Sequence, residues 1–421
     1  MNEQEVRAAT ETVFRQEYGR IIATLIRISG SFDRAEEAMQ EAFTAALASW
    51  PEKGIPQNPA AWITTAAQRK LIDSLRRDRT RLAKEDAIAY ETKTLSRIDS
   101  FPVEDATMHL PDDRLRLIFT CCHPALKPDA QVALTLRTLA GLTTAEIAKA
   151  FLITETTVAQ RIVRAKRKID EAGIRYEVPS LERLPDRLTT VQAVLYLIFN
   201  EGYLASTGDR LIRTDLCGEA IRLARVLCEL LPNESENLGL LALMLLHDSR
   251  RDARTTAEGN LIPLEEQDRG LWHAGQILEG LQLVTRALSS GTVGPFQLQA
   301  AIAAVHAEAK TVAETDWRQI AALYRELERH YPGPVVSLNH AVAIAMSDGL
   351  ELGLQRMDEL GNKSELDNYY LFHAARADIL RRMARNVEAV EAYERALALS
   401  TNAVEQRYLR RRLNDVQNSR V

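Results

Sequence analysis

Residues Gly141 to Ile169 read GLTTAEIAKAFLITETTVAQRIVRAKRKI, and this stretch decides how the rest of the chain is organised. Thr143 followed by Glu146 is a capping box, which starts a helix by satisfying its first free N–H groups reciprocally. Ile147, Ala148 and Phe151 supply that helix with one apolar face. Thr154 then caps a second helix, with Thr157 at its third position. Val158, Ile162 and Ala165 recur at spacings of four and three, so one side of this second helix faces inward. Two capped helices joined by a short turn, the second of them basic, make a helix-turn-helix.

The second helix is expected in the major groove of DNA. Glu155, Thr156, Ala159, Gln160 and Arg164 occupy its outward N-terminal half, where base edges are reached. Arg161, Lys166, Arg167 and Lys168 are placed for phosphates, which position the helix without reading sequence. A basic run alone would be a solvated face; the capped helix pair in front of it makes DNA contact the stronger reading.

Working outward, almost every segment has apolar residues at helical spacing, Ala and Leu dominate, and alternating strand patterns are scarce. The fold class is therefore all-α. A length of 421 residues implies two to four domains. The composition, 46% hydrophobic and 26% charged, is enough to build packed cores. Five zones separate: a helical domain over 1–82, an acidic linker over 83–110, a helix-turn-helix domain over 111–176, a helical block over 177–312, and paired helices over 313–421. No apolar run is long enough to span a membrane, and the polar start MNEQEVRAATETVFRQEYG lacks a signal peptide, so the expected location is the cytoplasm.

Net charge is −5, which by itself argues against nucleic acid. The distribution overrides the sum. Gln68 to Lys84, QRKLIDSLRRDRTRLAK, has seven basic and two acidic residues, and Gln160 to Lys168 has five basic and none acidic. Upstream, FDRAEEAMQEAFTAALASW (Phe32–Trp50) reads as a helix capped by Asp33. Glu36, Glu37, Gln40 and Glu41 lie on its exposed face, and Ala35, Met39, Ala42, Phe43, Ala46 and Leu47 on its inner face. Asn58 and Pro59 start the next helix, which exposes Arg69, Lys70, Arg76 and Arg77. Asp73 lies within pairing distance of those four, so part of their charge could be internal.

These segments resemble the sigma-70 family. Asp112 to Asp170 is similar to its region 4, although Leu152 stands where the turn usually has Gly and Ala159 where Lys is common. Phe32 to Trp50 resembles region 2.2, and AWITTAAQRKLIDSLRR (Ala61–Arg77) resembles regions 2.3 and 2.4. Order and spacing are those of the extracytoplasmic-function type, reduced to regions 2 and 4. The resemblance implies an alternative sigma factor that binds core RNA polymerase and promoter DNA. By that resemblance, Asp33, Glu36, Glu37, Gln40 and Glu41 meet the β′ clamp helices and region 4 meets the β flap. Arg69, Lys70, Arg76 and Arg77 would bind the −10 element as single strand with a flipped base. The recognition-helix residues would bind the −35 element. Trp62 is a candidate base stacker, but core packing is the expectation. The linker acids Glu85, Asp86, Glu91, Asp99, Glu104 and Asp105 would thread through polymerase in the manner of nucleic acid.

Residues 177–421 go beyond an ordinary member. LYLIFNEGYLAS (Leu195–Ser206) and LALMLLHDSRRDAR (Leu241–Arg254) resemble the extension of one sigma subgroup. Ala389, Tyr393 and Ala396 hold the small–aromatic–small positions of a tetratricopeptide repeat, and Trp317 to Pro332 has a similar shape. The extension is expected to regulate activity, and its repeats to receive a protein partner. Asn200 to Tyr203 reads equally as a contact loop or a packed helix end. His247, Asp248, Arg250 and Arg251 form no acid–base pair or nucleophile constellation, so no catalytic residue is assigned. Cys121-Cys122-His123 lacks a second pair at zinc spacing, and no metal or cofactor is expected. The alternative reading is a one-component helix-turn-helix regulator with a repeat-type sensor domain.

Overall fold

The computed structural model describes residues 3–85, 110–151, 153–204, 211–289, 291, 293–362 and 365–418. These residues are mostly helical, joined by turns and irregular segments that include an antiparallel bridge between Thr255 and Leu261. The acidic linker lies outside the described residues, except that the preceding helix continues to Glu85 and the next begins at Leu110. No described helix is long and apolar enough to cross a membrane. The chain divides into two compact units, Met1–Val194 and Leu195–Val421.

In the first unit, α1 (Glu3–Ser29), α2 (Phe32–Lys53) and α3 (Pro59–Glu85) pack on one another. Their core is Ile21, Ile22, Leu25, Met39, Ile63 and Leu71, all essentially withdrawn from water. The cap of α2 is Ser31, whose Oγ accepts from Arg34 N at 3.4 Å. Asp33, expected as the cap, instead sits in the first turn, where its charge favours the helix N-terminus. Leu47 also departs from expectation. It is 46% exposed, and Ala38 and Trp50 take the inward positions on α2 with Ala35, Met39, Ala42 and Ala46. Asn58 does cap α3, accepting from Ala61 N at 3.0 Å.

Four further helices complete most of this unit: α4 (Leu110–Cys121), α5 (Pro128–Thr138), α6 (Thr144–Phe151) and α7 (Glu155–Glu171). Both α5 and α6 pack against α7, and the capping box is formed. Thr143 N donates to Glu146 Oε2 at 2.7 Å, and Glu146 N donates to Thr143 Oγ1 at 3.1 Å. Cys121 and Cys122 close α4 as buried thiols against Thr138 and Thr135. Burial pushes the Cys122 thiol up to about 12 and Cys121 higher still.

Helix α1 also packs on α4, and the join is polar at its centre. Asp113 is only 1% exposed. Its two oxygens meet Arg27 Nε at 2.8 Å and Arg116 Nη1 at 2.9 Å. Next to it, the Tyr176 hydroxyl sits 2.9 Å from the Ala23 carbonyl and 3.0 Å from the Asp113 carbonyl, able to donate to one at a time. Farther along α1, a Cβ on Gly19 would stand 2.5 Å from the Leu139 carbonyl oxygen, so only glycine permits this approach. At Gly141, whose φ is +72°, a Cβ would come within 3.1 Å of the Tyr18 ring.

The second unit builds on α10 (Ser235–Asp248), which is buried continuously from Asn237 to Leu246. A helix that is apolar all round must be surrounded. Here α9 (Thr214–Leu230), α11 (Ala274–Leu288) and α12 (Pro295–Glu308) enclose it, and α8 (Leu184–Tyr203) leads into the unit. From there α13 (Trp317–His330), α14 (Pro334–Ser347), α15 (Leu350–Gly361), α16 (Tyr370–Arg382), α17 (Asn386–Leu399) and α18 (Ala403–Asn418) each pack on the next. Ala389, Tyr393 and Ala396 are all buried in α17.

Removing Asp113 takes a shared counter-charge from Arg27 and Arg116, which are partly exposed, at a cost of about 1–3 kcal/mol. Asp113→Ala should therefore destabilise the first unit by that amount. Hydrogen exchange should show lost protection in α1 and α4 together; loss in α4 alone would mean the join is not cooperative.

Candidate nucleic-acid interface

The recognition helix α7 starts where Thr154 Oγ1 accepts from Thr157 N at 3.1 Å. That cap sets the rotation of the helix: Val158, Ile162, Ala165 and Ile169 are buried. Glu155, Thr156, Gln160, Arg164, Arg167 and Lys168 consequently face solvent. Arg167 pairs with Glu171 one turn on, at 3.1 Å and well exposed, so that pair would yield readily to a phosphate.

Arg161 and Lys166 are placed differently. Arg161 pairs with Asp129 in the first turn of α5 at 3.0 Å. Lys166 reaches α2, with Nζ 2.8 Å from Asp33 Oδ1 and 3.1 Å from Glu36 Oε1. The contact to Glu36 is an ion pair without hydrogen-bond geometry. The Lys166 side chain is only 12% exposed, so its charge needs carboxylate partners to offset desolvation.

Two of the five α2 residues expected to meet polymerase, Asp33 and Glu36, are thus engaged by α7. Glu41 pairs with Lys70 of α3 at 3.3 Å, and Glu37 and Gln40 face solvent. On α3, Arg69, Lys70, Arg76 and Arg77 are all exposed. Arg77 Nε donates to the main-chain carbonyl of Asp73 at 3.4 Å. Trp62 is half-buried and meets the fully buried Trp50 edge-on at 5.5 Å between ring centres, which is core packing.

Sequence reasoning missed Asp129, Gly19, Gly141 and Asp113 as residues that fix this surface. Asp129 reads locally as an ordinary first-turn acid, and nothing nearby in sequence signals its partner Arg161. Burial pushes the Tyr18 hydroxyl up to about 12, and the Glu36 charge adds to the shift. At His123, burial and then Arg187 hold the imidazole below its usual range, so it stays neutral near pH 7. Among the described residues no group of three or more His, Cys, Asp and Glu could hold a metal ion.

The engaged lysine has a measurable consequence. Each phosphate contact contributes about −0.9 to the log–log slope of duplex affinity against salt. With Arg167 and Lys168 reaching phosphates and Arg164 turned to base edges, this helix in the free full-length protein should give about −1.8. Asp33→Asn with Glu36→Gln frees Lys166 and should steepen the slope by about −0.9. An unchanged slope in the double variant would take Lys166 off the DNA.

Three parts of the chain match known family descriptions. Residues 13–81 match sigma-70 region 2, residues 116–169 match sigma-70 region 4, and residues 187–288 match a family of unknown function, DUF6596. An uncharacterized protein of Rhizobium meliloti (strain 1021) is 43% identical over 397 residues, covering 93% of this chain and 92% of that protein. No solved structure matches significantly. Both promoter-reading regions are present in family order around the geometry described, so the chain belongs to the sigma-70 family and is an alternative sigma factor that directs promoter recognition.

Proposed function

We propose that this sigma factor is of the extracytoplasmic-function type, acts in the cytoplasm, and holds regions 2 and 4 against each other until core polymerase separates them. The observation that carries this reading is Lys166 of α7 set between Asp33 and Glu36 of α2. One ion cluster thereby occupies part of the acidic face for the β′ clamp helices and part of the basic face for DNA. Each surface serves as the other's counter-charge in the free protein. Polymerase would supply new partners for Asp33, Glu36, Glu37, Gln40 and Glu41 and the β flap a seat for region 4. That would release Lys166, and with it Arg161, Arg164, Arg167 and Lys168, for the −35 element. Glu155, Thr156 and Gln160 would read base edges there, while Arg69, Lys70, Arg76 and Arg77 track the −10 strand.

The working division is region 2 over 1–82, linker over 83–110, region 4 over 111–176, extension over 177–312 and tetratricopeptide-like repeats over 313–421. The extension regulates the factor, and the repeats are the place for a protein partner. The buried Ala389–Tyr393–Ala396 pattern supports that reading of the repeats. No catalytic activity is proposed. A one-component regulator would need no region 2, and the match over residues 13–81 weighs against it.

Core RNA polymerase pull-down and run-off transcription test these roles. Full-length protein should bind core and give specific transcripts. Glu37→Arg should weaken core capture, because its site is exposed and carries the proposed clamp contact. Arg164→Ala with Lys168→Ala should keep core capture and lose −35-dependent transcripts. Residues 1–194 tested beside the full chain give the sign of the extension's effect; identical transcription from both would remove its regulatory role. Duplex binding without core binding would return the protein to the one-component class.

A further inference from the structure

The segment His247–Arg254 and the turn Arg269–Leu271 bring several guanidinium groups together inside the second unit. Arg250 and Arg254 are 8% and 6% exposed, whereas Arg269 and Arg251 are half-buried and reach solvent. Trp272, itself buried, is close to two of them: its ring centre is 5.8 Å from the Arg250 guanidinium and 4.7 Å from that of Arg269. The Arg254 guanidinium lies 3.6 Å from the centre of the Tyr203 ring. The turn is pinned beside the end of α10, where His273 N donates to the Ser249 carbonyl at 2.8 Å.

The partners of these arginines are neutral. Arg254 donates to the Tyr203 carbonyl at the end of α8. Arg269 donates to the His306 carbonyl at 2.6 Å and to the Ala309 carbonyl, and its other terminal nitrogen lies 3.4 Å from Thr315 Oγ1. Arg250 Nη2 lies 3.0 Å from the Tyr203 hydroxyl and 2.6 Å from His247 Nδ1. Among the described residues no carboxylate forms an ion pair with Arg250, Arg254 or Arg269. Asp248 is spoken for by Arg251, at 2.7 Å. Glu405 and Glu314 act on Arg254 and Arg269 from a distance, but Glu405 hydrogen-bonds the Tyr370 hydroxyl and Glu314 accepts from Thr311 Oγ1 at 3.1 Å. The Nε atoms of Arg250, Arg251 and Arg269 are buried without a hydrogen-bond partner.

Helix C-terminal carbonyls favour cations and account for part of this arrangement. They do not account for several guanidinium groups sharing one small region with three Nε donors unspent. Buried cations of one sign ordinarily require an anion. We propose that the Arg250–Arg254–Arg269 cluster is a binding site for a small phosphate-type oxyanion, either inorganic or carried on a small metabolite. Guanidinium forks match phosphate oxygens in geometry and charge. Trp272 borders the site beside Arg250 and Arg269. The nearby imidazoles already respond to the excess positive charge. His306 is pushed down to about 4 by burial and then by Arg250 and Arg269. His247 is driven well below its usual range by burial and then by Arg250, Arg254 and His306.

The test is a titration of full-length protein with inorganic phosphate, pyrophosphate and ribose 5-phosphate at constant ionic strength, with sodium chloride as control. Tryptophan fluorescence and thermal melting are the readouts. At least one phosphate compound should give a saturable change with a Kd tighter than about 1 mM and raise the melting temperature in step. Preference for inorganic phosphate or pyrophosphate identifies a free anion; preference for ribose 5-phosphate identifies a phosphorylated metabolite. Arg269→Gln, at the half-buried edge, should weaken binding at least about tenfold. Arg318→Gln, on an exposed turn of α13, should leave it unchanged. Trp272→Phe should abolish the fluorescence change while the melting shift persists, showing that the signal arises at this site. Absence of saturation by all three compounds in the wild-type protein overturns the proposal, as does a response that chloride reproduces or that Arg269→Gln retains.

Discussion

Asp113 sits almost wholly out of water with one oxygen on Arg27 of α1 and the other on Arg116 of its own helix. A lone carboxylate in that position would be strongly unfavourable. Packing of α1 on α4 is therefore bound to the ion pairs, and each requires the other. With that join made, Gly19 can close on the Leu139 carbonyl and Gly141 on Tyr18. The N-terminal helices and the helix-turn-helix then form one compact unit instead of two bodies on a linker.

The compact arrangement determines what the recognition helix can offer. The side of α7 proposed to read bases faces solvent, but two of its five cations are committed to acids on other helices. Those commitments differ in strength. Arg161 meets an Asp129 that is well exposed, a contact water and salt weaken. Lys166 is largely desolvated and faces a mostly buried Glu36 beside the exposed Asp33, so its charge depends more on these partners. Under the proposed function, core polymerase and promoter DNA would supply such partners together, so that complementarity within the free protein and with its targets would draw on the same side chains.

In the second unit the electrostatic logic runs the other way. Elsewhere in it arginines are matched by acids, as Arg382 is by Asp378 and Glu265, and Arg213 by Glu201. Around Trp272 they are held by carbonyls, a hydroxyl and a neutral imidazole. The same residue type therefore serves as structural cross-link in one place and as unspent donor in another. The difference lies in what the fold sets opposite each guanidinium.

What could be read from sequence was what is decided within one helical turn. Thr143 and Glu146, Thr154 and Thr157, and Asn58 and Ala61 find each other three residues apart, so their hydrogen bonds follow from local spacing. The buried face of α7 and the family order of regions 2 and 4 were legible for the same reason, since periodicity and motif are local properties. Asp33 and Leu47 went astray because neighbours decided them: Ser31 was the nearer cap, and the pitch of α2 turned Trp50 inward in place of Leu47. The contact between Lys166 and Asp33 spans 133 positions of chain, Arg27 and Asp113 lie 86 apart, and Arg269 and His306 lie 37 apart. No periodicity encodes such pairs. Local hydrogen bonding and helical pitch let the sequence determine the helices, their caps and their faces; which charges meet, and which find neutral hydrogen-bond partners, was decided only when packing brought distant helices within a few ångströms.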